Sequence, residues 1–321
     1  MLDTKTLLAT AVGGFLMLGA AQQAQAFAYA YAYNDITSFA IGTGGNTTFG
    51  QPSYGVSTQA RSDPNASGHN AIQSTTPVNA FTDCVSPGSC TDGGSGTAVP
   101  LGVNAIISGD PMGSARGQGG HYGRGVAQIV DPTHAMGVAE AYVPHGPNHT
   151  HDANGLSRNE LTQGFTVDAG GDALTFTFDA LPYLVAEVDE LGGVDRAQAA
   201  LSFNMSIIDS LTGVQLFAWT PNGIVDGVIV GGTETKDGSD LNADLDIALA
   251  VGNGIALAQT HNAGKLTFMY EATTAVLAAG TYELRVIATQ SVDVEDQFVP
   301  VPGSLALLGL GLLGLRFRKS A

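Results

Sequence analysis

A two-residue alternation of side-chain types recurs along this chain and constrains its fold more than any other feature. At the start of the alternating region, Phe27, Tyr29, Tyr31 and Tyr33 are separated by single alanines. Successive side chains of a β-strand point to opposite faces, so this spacing predicts a strand with four aromatic rings on one face. Two interpretations follow. The rings pack inward as part of a core, or they form an exposed ladder that stacks on sugar rings or on another protomer's edge.

The alternation returns repeatedly between residues 161 and 293. Apolar residues alternate with Thr, Ser or Asn in Leu174–Phe178 and Leu201–Ile207, and Asp209–Gly213 is a turn that begins a hairpin. Further strands are predicted at Lys265–Glu271 and Thr281–Thr289. Apolar faces opposite polar faces, separated by turns, predict a mainly β fold: an antiparallel β-sandwich or jelly-roll-like domain.

Other stretches lack this pattern. Gly42–Gly125 is rich in Gly, Ser, Thr, Asn, Gln and Pro, which predicts long loops with occasional short strands, the best candidate being Val99–Ser108. Val185–Leu191, Asp195–Ala200 and Ile255–Thr260 have short helical patterns. No fixed-period repeat and no linker divides the region from residue 27 to 297, so a single domain is predicted there.

The C-terminal segment has three elements in a fixed order. A proline-punctuated turn comes first, and prolines end strands and helices because they lack an N–H. Leu305–Leu315 follows and contains only Leu, Gly and Ala. A helix over 303–315 would be about 20 Å long, which is shorter than the bilayer's hydrocarbon core of about 30 Å. We therefore expect an anchor that is transient or only shallowly inserted. The turn and the terminal cations comprise Val299, Pro300, Val301, Pro302, Gly303, Arg316, Arg318 and Lys319.

This order resembles the PEP-CTERM sorting signal of Gram-negative bacteria, which covers about the last two dozen residues. One departure is Val301, which stands where that signal most often has Glu. The resemblance implies transit through the inner membrane and handling by an exosortase-type sorting enzyme. It also implies delivery to the cell surface, the outer membrane or the extracellular matrix. The signal is associated with bacteria that produce exopolysaccharide, which the resemblance therefore suggests as a partner.

The N-terminal segment predicts export. Leu7–Ala21 is an apolar stretch, and Ala24 and Ala26 form an A-x-A cleavage site that leaves Phe27 as the first mature residue. Partners implied are the Sec export machinery and signal peptidase. The predicted organisation is a signal peptide at 1–26, a β-rich body at 27–297 and a sorting segment at 298–321.

The charge of the chain limits its partners. The formal net charge is −17, and loss of the three terminal cations would leave −20. Such a surface repels phosphate backbones and anionic lipids, which disfavours nucleic acid as a partner. It favours solubility and association with divalent cations or with neutral and cationic polymers.

Cys84 and Cys90 are the two cysteines of the chain and flank a Pro-Gly pair. That pair predicts a tight turn that brings the two sulfur atoms together. In an oxidising compartment the expected product is a small-loop disulfide that stabilises by about 2 kcal/mol.

Two candidate metal sites are present. Asp240, Asn242, Asp244 and Asp246 offer oxygen atoms at every second position, but Leu and Val stand where an EF-hand loop requires Gly and Glu. A strand with an acidic outer face is one interpretation, and a weak calcium site completed by other oxygens is the alternative. Calcium is therefore the one cofactor suggested.

The second candidate is a pair of histidines. His149 and His151 would share a strand face at a spacing that suits a divalent metal. The cupin pattern with a glutamate a few residues later is missing. The alternative is a solvated polar loop.

The motifs of several enzyme classes are missing from the sequence. It contains no Gly-x-Ser-x-Gly elbow, phosphate-binding Gly-Lys-Ser/Thr loop or His-Glu-x-x-His zinc motif. The sequence favours a non-enzymatic exported protein with a structural or adhesive role in an exopolysaccharide or biofilm matrix. A lectin-like carbohydrate-binding module is the first alternative, and a secreted hydrolase is the second.

Overall fold

The structure, a computed structural model, describes residues 27–62, 65–74, 81–85, 114–122, 133–144, 151–189, 193–225, 229–249 and 257–298. Two antiparallel sheets pack face to face in this part of the chain. Several strands have 15 to 19 residues, whereas strands of globular proteins usually have about 5 or 6. The described residues thus confirm the predicted antiparallel, mainly β architecture.

The first sheet has eight strands, in the order β11-β14-β8-β1-β6-β5-β4, with β13 continuing along the β14 side of β8. Its strands are β1 (Phe27–Gly42), β4 (Phe81–Val85), β5 (Ser114–Tyr122), β6 (Thr133–Pro144), β8 (Thr175–Asp189), β11 (Gly232–Asp237), β13 (Leu257–His261) and β14 (Phe268–Thr274).

The second sheet has seven strands, in the order β10-β9-β15-β7-β2-β3, with β12 also on β9. Its strands are β2 (Thr47–Ser62), β3 (Asn65–Ser74), β7 (His151–Val167), β9 (Gly193–Asp209), β10 (Gln215–Trp219), β12 (Asp244–Leu249) and β15 (Gly280–Phe298). The predicted hairpin is present, because β9 and β10 pair across the turn at Asp209–Gly213.

The interior between the sheets changes character along the strands. One end is aromatic and centres on Phe178, whose ring lies 4.8 to 6.0 Å, centroid to centroid, from four other rings. The other end is lined mainly by alanine and valine, with the alanines of β1 facing those of β9 across the core. We call these the aromatic end and the alanine end. The rings around Phe178 are those of Phe39, Phe203, Trp219 and Tyr270.

Glycines allow the two sheets to approach closely at the alanine end. A Cβ on Gly155 of β7 would lie 2.5 Å from the backbone oxygen of Arg116 in the opposite sheet. A Cβ on Gly117 of β5 would lie only 2.1 Å from the backbone oxygen of Leu156. Real Cβ atoms do not occupy such positions, so the backbones of the two sheets are in direct contact at these glycines. The alanines and glycines of this end are therefore required by the short distance between the sheets.

A belt of buried polar side chains separates the two ends. The side chain of Asn159 donates to the backbone oxygen of Met136 at 2.9 Å, which joins the two sheets. A slip of one residue in any of these strands would turn all of its inner side chains toward the outer face, and the exposure of the apolar ones is what penalises a wrong register. The members of the belt are Asn34, Thr58, Ser157, Asn159 and Gln290, each 3% exposed or less.

A β-bulge in β1 keeps its apolar residues on the inner face. The register of β1 shifts between Ile36 and Phe39 against β6 and between Thr37 and Ala40 against β8, and Ser38 has a positive φ of 57°. The extra residue lets Ile36 and Phe39 both point into the core, although their spacing is odd. Because of the bulge, β1 has apolar residues on its inner face both at the alanine end and at the aromatic end.

Three sequence-based predictions of local structure were wrong. Val185–Leu191 and Asp195–Ala200 lie in strands β8 and β9 where described, and β13 covers Leu257–His261 instead of a helix at Ile255–Thr260. In β8 both faces are buried, as for Leu184 and Val185. Burial of both faces of a strand removes the alternation of apolar and polar residues by which a strand is recognised. In β9, the helix propensity of alanine favours a helix, but pairing with neighbouring strands overrides this local propensity.

The predicted loop region at Gly42–Gly125 also contains more strand than expected. Strands β2, β3, β4 and β5 lie within it, and β2 alone spans Thr47–Ser62. The Gly, Ser, Thr and Gln residues of β2 do not form the apolar–polar alternation that predicts a strand. The strand forms because β2 pairs with β7 over most of its length. The predicted strand at Val99–Ser108 lies outside the described residues, as do the signal segment and the C-terminal apolar helix.

Candidate functional site

The junction between the body and the C-terminal segment is part of the sheet itself. Strand β15 ends at Phe298, one residue before the predicted turn begins at Val299. It is a central strand of the second sheet, with 17 residue pairs to β7 and 17 to β9. The sorting segment is therefore joined without a linker to a strand that is hydrogen-bonded on both sides.

Both boundaries of the body lie at the alanine end. Strand β1 begins at Phe27, the residue that the sequence predicts as the first mature one. The first residues of β1 and the last of β15 share one core cluster, which includes Ala28 and Val294. The beginning of β15 and the end of β1 belong instead to the aromatic cluster. Residues 1–26 lie outside the described residues, so signal cleavage after Ala26 stays a prediction.

The opposite end carries the connections between the sheets, and Asp172 holds them together. Its carboxylate accepts hydrogen bonds from the backbone of Gly44 and Asn46 and from the hydroxyl of Thr47, at 2.8 to 3.1 Å. The backbone of Asp172 also pairs with Leu277 in both directions, at 2.7 and 3.0 Å. Asp172 thus joins the β1–β2, β7–β8 and β14–β15 connections, which we call the Asp172 clamp.

Apolar side chains are exposed at the same end of the body. Leu211 in the β9–β10 turn is 93% exposed, and Val276 in the β14–β15 connection is 72% exposed. Both positions lie at the tips of turns at the aromatic end. Two turns at the end opposite Phe298 therefore each expose a large apolar side chain among polar and small residues.

The tyrosine ladder of β1 is buried, although it lies on the face of the first sheet that points away from the second sheet. Tyr29 and Tyr31 are 1% exposed and Tyr33 is 5% exposed. They share a cluster with Met136, Val138 and Val185. The predicted strand and the common face of the rings are confirmed, whereas the interpretation of these tyrosines as an exposed ladder for sugar stacking is wrong.

A buried ionic group lies within this cluster. The carboxylate of Glu140 on β6 is fully buried, lies 3.1 Å from the Arg116 guanidinium on β5 and accepts a hydrogen bond from the Tyr29 hydroxyl at 3.0 Å. Burial raises the pKa of Glu140 to about 7, against the lowering effects of Arg116 and Tyr29. Burial and the neighbouring Glu140 also raise the pKa of Tyr29. Sequence analysis missed this group, although an acid among apolar residues of an alternating stretch was a usable signal.

We expect Glu140 to make stability depend on pH. Its pKa is higher in the folded state than the ordinary 4.5, so the folded state binds a proton more tightly and stability is lost as pH rises from about 4.5 to about 7. The loss amounts to about 3 kcal/mol at 1.4 kcal/mol per pKa unit. Urea unfolding of the wild type and of Glu140→Gln at pH 4 to 8 tests this expectation, with the partly exposed Glu160→Gln as the control. Parallel curves for wild type and Glu140→Gln would contradict it.

The residues of the candidate calcium stretch have separate contacts. The side chain of Asn242 accepts from the backbone N–H of Phe203 at 2.8 Å and donates to the backbone oxygen of Pro221 at 2.8 Å. Asp246 forms a two-point ion pair with Arg196 at 2.9 and 3.0 Å. Asp240 accepts from the backbone N–H of Asn242 at 2.7 Å, and Asp244 is exposed on β12. Calcium binding here stays a prediction.

Across the described ranges, no three His, Cys, Asp or Glu side chains are grouped so that they could hold a metal ion. His149 lies outside the described residues, and the backbone of His151 begins β7. Cys84 belongs to β4 and Cys90 lies outside the described residues, so the disulfide also stays a prediction. Where the structure is described, it contains no helix long and apolar enough to cross a membrane.

A small cavity lies between the sheets where the aromatic end meets the polar belt. Its volume is about 30 Å³ and its lining includes Ile36, Asn159 and Val286. Ligand pockets of proteins have volumes of about 300 to 1,000 Å³. This cavity is therefore too small for a sugar.

Comparisons with known proteins identify the C-terminal segment, and they do not match the body to a family. A search of curated proteins found no match. Among solved structures, the chain aligns with the Gx strain of infectious bursal disease virus at 11% identity, covering 92% of this chain and 89% of that one, with a TM-score of 0.10. The VP2 subviral particle of that virus aligns at 11% identity, covering 91% and 75%, also with a TM-score of 0.10.

Such TM-scores carry no argument about fold or function. The tail gives a direct result, because residues 298–320 match the model of the PEP-CTERM protein-sorting motif. The match begins at the last residue of β15. This chain therefore carries a PEP-CTERM sorting signal and is an exported protein that exosortase sorts at the membrane of a Gram-negative bacterium.

Proposed function

We propose that this protein is a non-enzymatic component of the cell surface or of the exopolysaccharide matrix, with a structural or adhesive role. The observation that supports the proposal most is the direct continuation of β15 into the sorting signal at Phe298. A sorted or anchored tail then holds the body through a strand paired over 17 residues on each side. An attachment of this kind suits a protein whose task is to hold its position.

The charge and shape of the body support the same role. A net charge of −17 keeps the chain soluble and lets divalent cations bridge it to acidic polymers. The inner faces of both sheets are closed by packed side chains. The lectin-like alternative loses its main support, because Tyr29, Tyr31 and Tyr33 are buried.

Deletion of 299–321 tests the sorting step in the native host. We expect the full-length protein in the envelope and matrix fractions, and the truncated protein to be lost from both. The deletion begins after Phe298 and leaves β15 complete, so the body should retain its melting temperature. Immunoblots of fractionated cells measure the first effect, and thermal unfolding measures the second. An unchanged distribution of the truncated protein would contradict sorting through this tail.

The structural role needs a separate readout. Cells that lack the protein should form a matrix that disperses at lower shear, and the full-length protein should restore cohesion while the truncated one should not. Leu266→Ser is the matched control for expression, since that side chain is 58% exposed and the substitution leaves the sorting segment intact. Normal cohesion in the absence of a correctly sorted protein would overturn the matrix role.

A further inference from the structure

Several polar side chains of the belt are buried without hydrogen-bond partners. Asn34 of β1, Ser157 of β7 and Gln290 of β15 are each 2% exposed or less. Within the described part of the chain, neither side-chain polar atom of Asn34 or of Gln290 has a partner, and the hydroxyl of Ser157 has none. Asn159 Oδ1 also lacks a partner, although its Nδ2 donates to the backbone oxygen of Met136. Six side-chain atoms of the belt are therefore left without hydrogen bonds.

Strand register and one glycine bring these side chains to the same place. Ser157 and Gln290 are direct partners in the pairing of β7 with β15. Asn34 is the direct partner of Gly137 in the pairing of β1 with β6, in the opposite sheet. A Cβ on Gly137 would overlap Gln290 Oε1 and would lie 3.1 Å from Asn159 Nδ2. The four side chains that meet here, which we call the Gly137 cluster, are Asn34, Ser157, Asn159 and Gln290.

The Gly137 cluster needs hydrogen-bond partners from somewhere. A polar atom that is buried without a partner costs free energy, because it gives up its hydrogen bonds to water. Six such atoms together would cost an amount comparable to the whole stability of a domain. None of the six forms a hydrogen bond with another member of the cluster. Ordered water is the other partner that buried polar groups use in proteins.

The cavity between the sheets adjoins the Gly137 cluster and is large enough for water. Asn159 lines this cavity directly. Ile36 also lines it and stands two positions from Asn34 on the inner face of β1. Ala288 lines it from β15, two positions from Gln290. The cavity volume of about 30 Å³ exceeds the roughly 10 to 15 Å³ that one water molecule requires, so one or two molecules fit.

We propose that the Gly137 cluster and the adjoining cavity bind one or two ordered water molecules, which join the two sheets at this point. A buried water makes about three hydrogen bonds and both donates and accepts. The cluster supplies both kinds of partner: Asn159 Oδ1 accepts, and the side-chain amides of Asn34 and Gln290 donate. The contact between the sheets then consists of side chains and water together. This inference concerns the fold and is independent of the proposed matrix role.

Magnetic relaxation dispersion of the water oxygen signal tests the proposal on the full chain, because it counts water molecules that stay inside a protein. Ala288→Val enlarges a side chain that lines the cavity, so the count should fall by one or two relative to the wild type. Thr289→Val is the matched control, since the neighbouring residue of the same strand faces away from the core. It should leave the count unchanged. Equal counts for the wild type and Ala288→Val would overturn the proposal.

A crystal structure of the wild-type protein provides a second measurement if Ala288→Val does not fold. Water density should lie about 2.7 to 3.2 Å from Asn159 Oδ1, within hydrogen-bonding distance of a second member of the Gly137 cluster. Side chains of the cluster that bond directly to one another, with no water density between them, would show that the proposal is wrong.

Discussion

Phe178→Ala is expected to lower the free energy of unfolding by about 3 to 5 kcal/mol, the largest effect among single substitutions considered for this body. Phe178 is 2% exposed, and its ring stacks on Tyr270 with centroids 4.8 Å apart and an interplanar angle of 9°. The rings of Phe203 and Trp219 lie 5.1 and 5.6 Å away. Removal of the ring leaves a cavity among side chains contributed by four strands, which cannot all move to fill it.

Chemical denaturation measures the effect, since the midpoint should fall while the slope stays constant. Leu211→Ala is the control, because Leu211 is 93% exposed and such surface changes stay within about 0.5 kcal/mol. A loss below about 1 kcal/mol for Phe178→Ala would mean that the aromatic end is not closely packed.

Gly155→Ala is expected to cost about 3 kcal/mol although it adds a single methyl group. The new Cβ would lie 2.5 Å from the backbone oxygen of Arg116 and 3.0 Å from that of Glu140. Both atoms belong to paired strands, β5 and β6, so they cannot give way as a flexible side chain would. The two sheets would have to separate where alanines fill the core.

Gly164→Ala on the same strand is the matched control. Its Cβ would have one neighbour within 4 Å, the backbone oxygen of Tyr282 at 3.9 Å. The substitution should be neutral or stabilising by up to about 1 kcal/mol, because alanine reduces the entropy of the unfolded chain. Equal stabilities of the two variants would contradict the close approach of the sheets at Gly155.

The sequence alone predicted the strands that have one buried face. Leu201, Phe203, Met205 and Ile207 alternate with polar residues and all lie in the core. It failed where burial is two-sided, as at Leu184 and Val185. It also failed in β2, whose residues have little apolar signal and form a strand through pairing with β7.

The buried ionic group could not be predicted as a group. Arg116 is 24 positions from Glu140, and Tyr29 is 111 positions away. They meet because β1, β6 and β5 are neighbours in one sheet at a particular register. A shift of one residue would turn Glu140 to the other face of the sheet.

Local sequence therefore determined the sorting signal of this protein and the type of its secondary structure. The sorting signal is a linear order of turn, apolar stretch and cations, and strand alternation is a property of neighbouring residues. The tertiary structure decided the rest. Strand order placed Phe27 and Phe298 at one end, brought Asp172 to three connections and put Gly155 against the opposite backbone. These features depend on pairing between residues far apart in the chain, which no local pattern encodes.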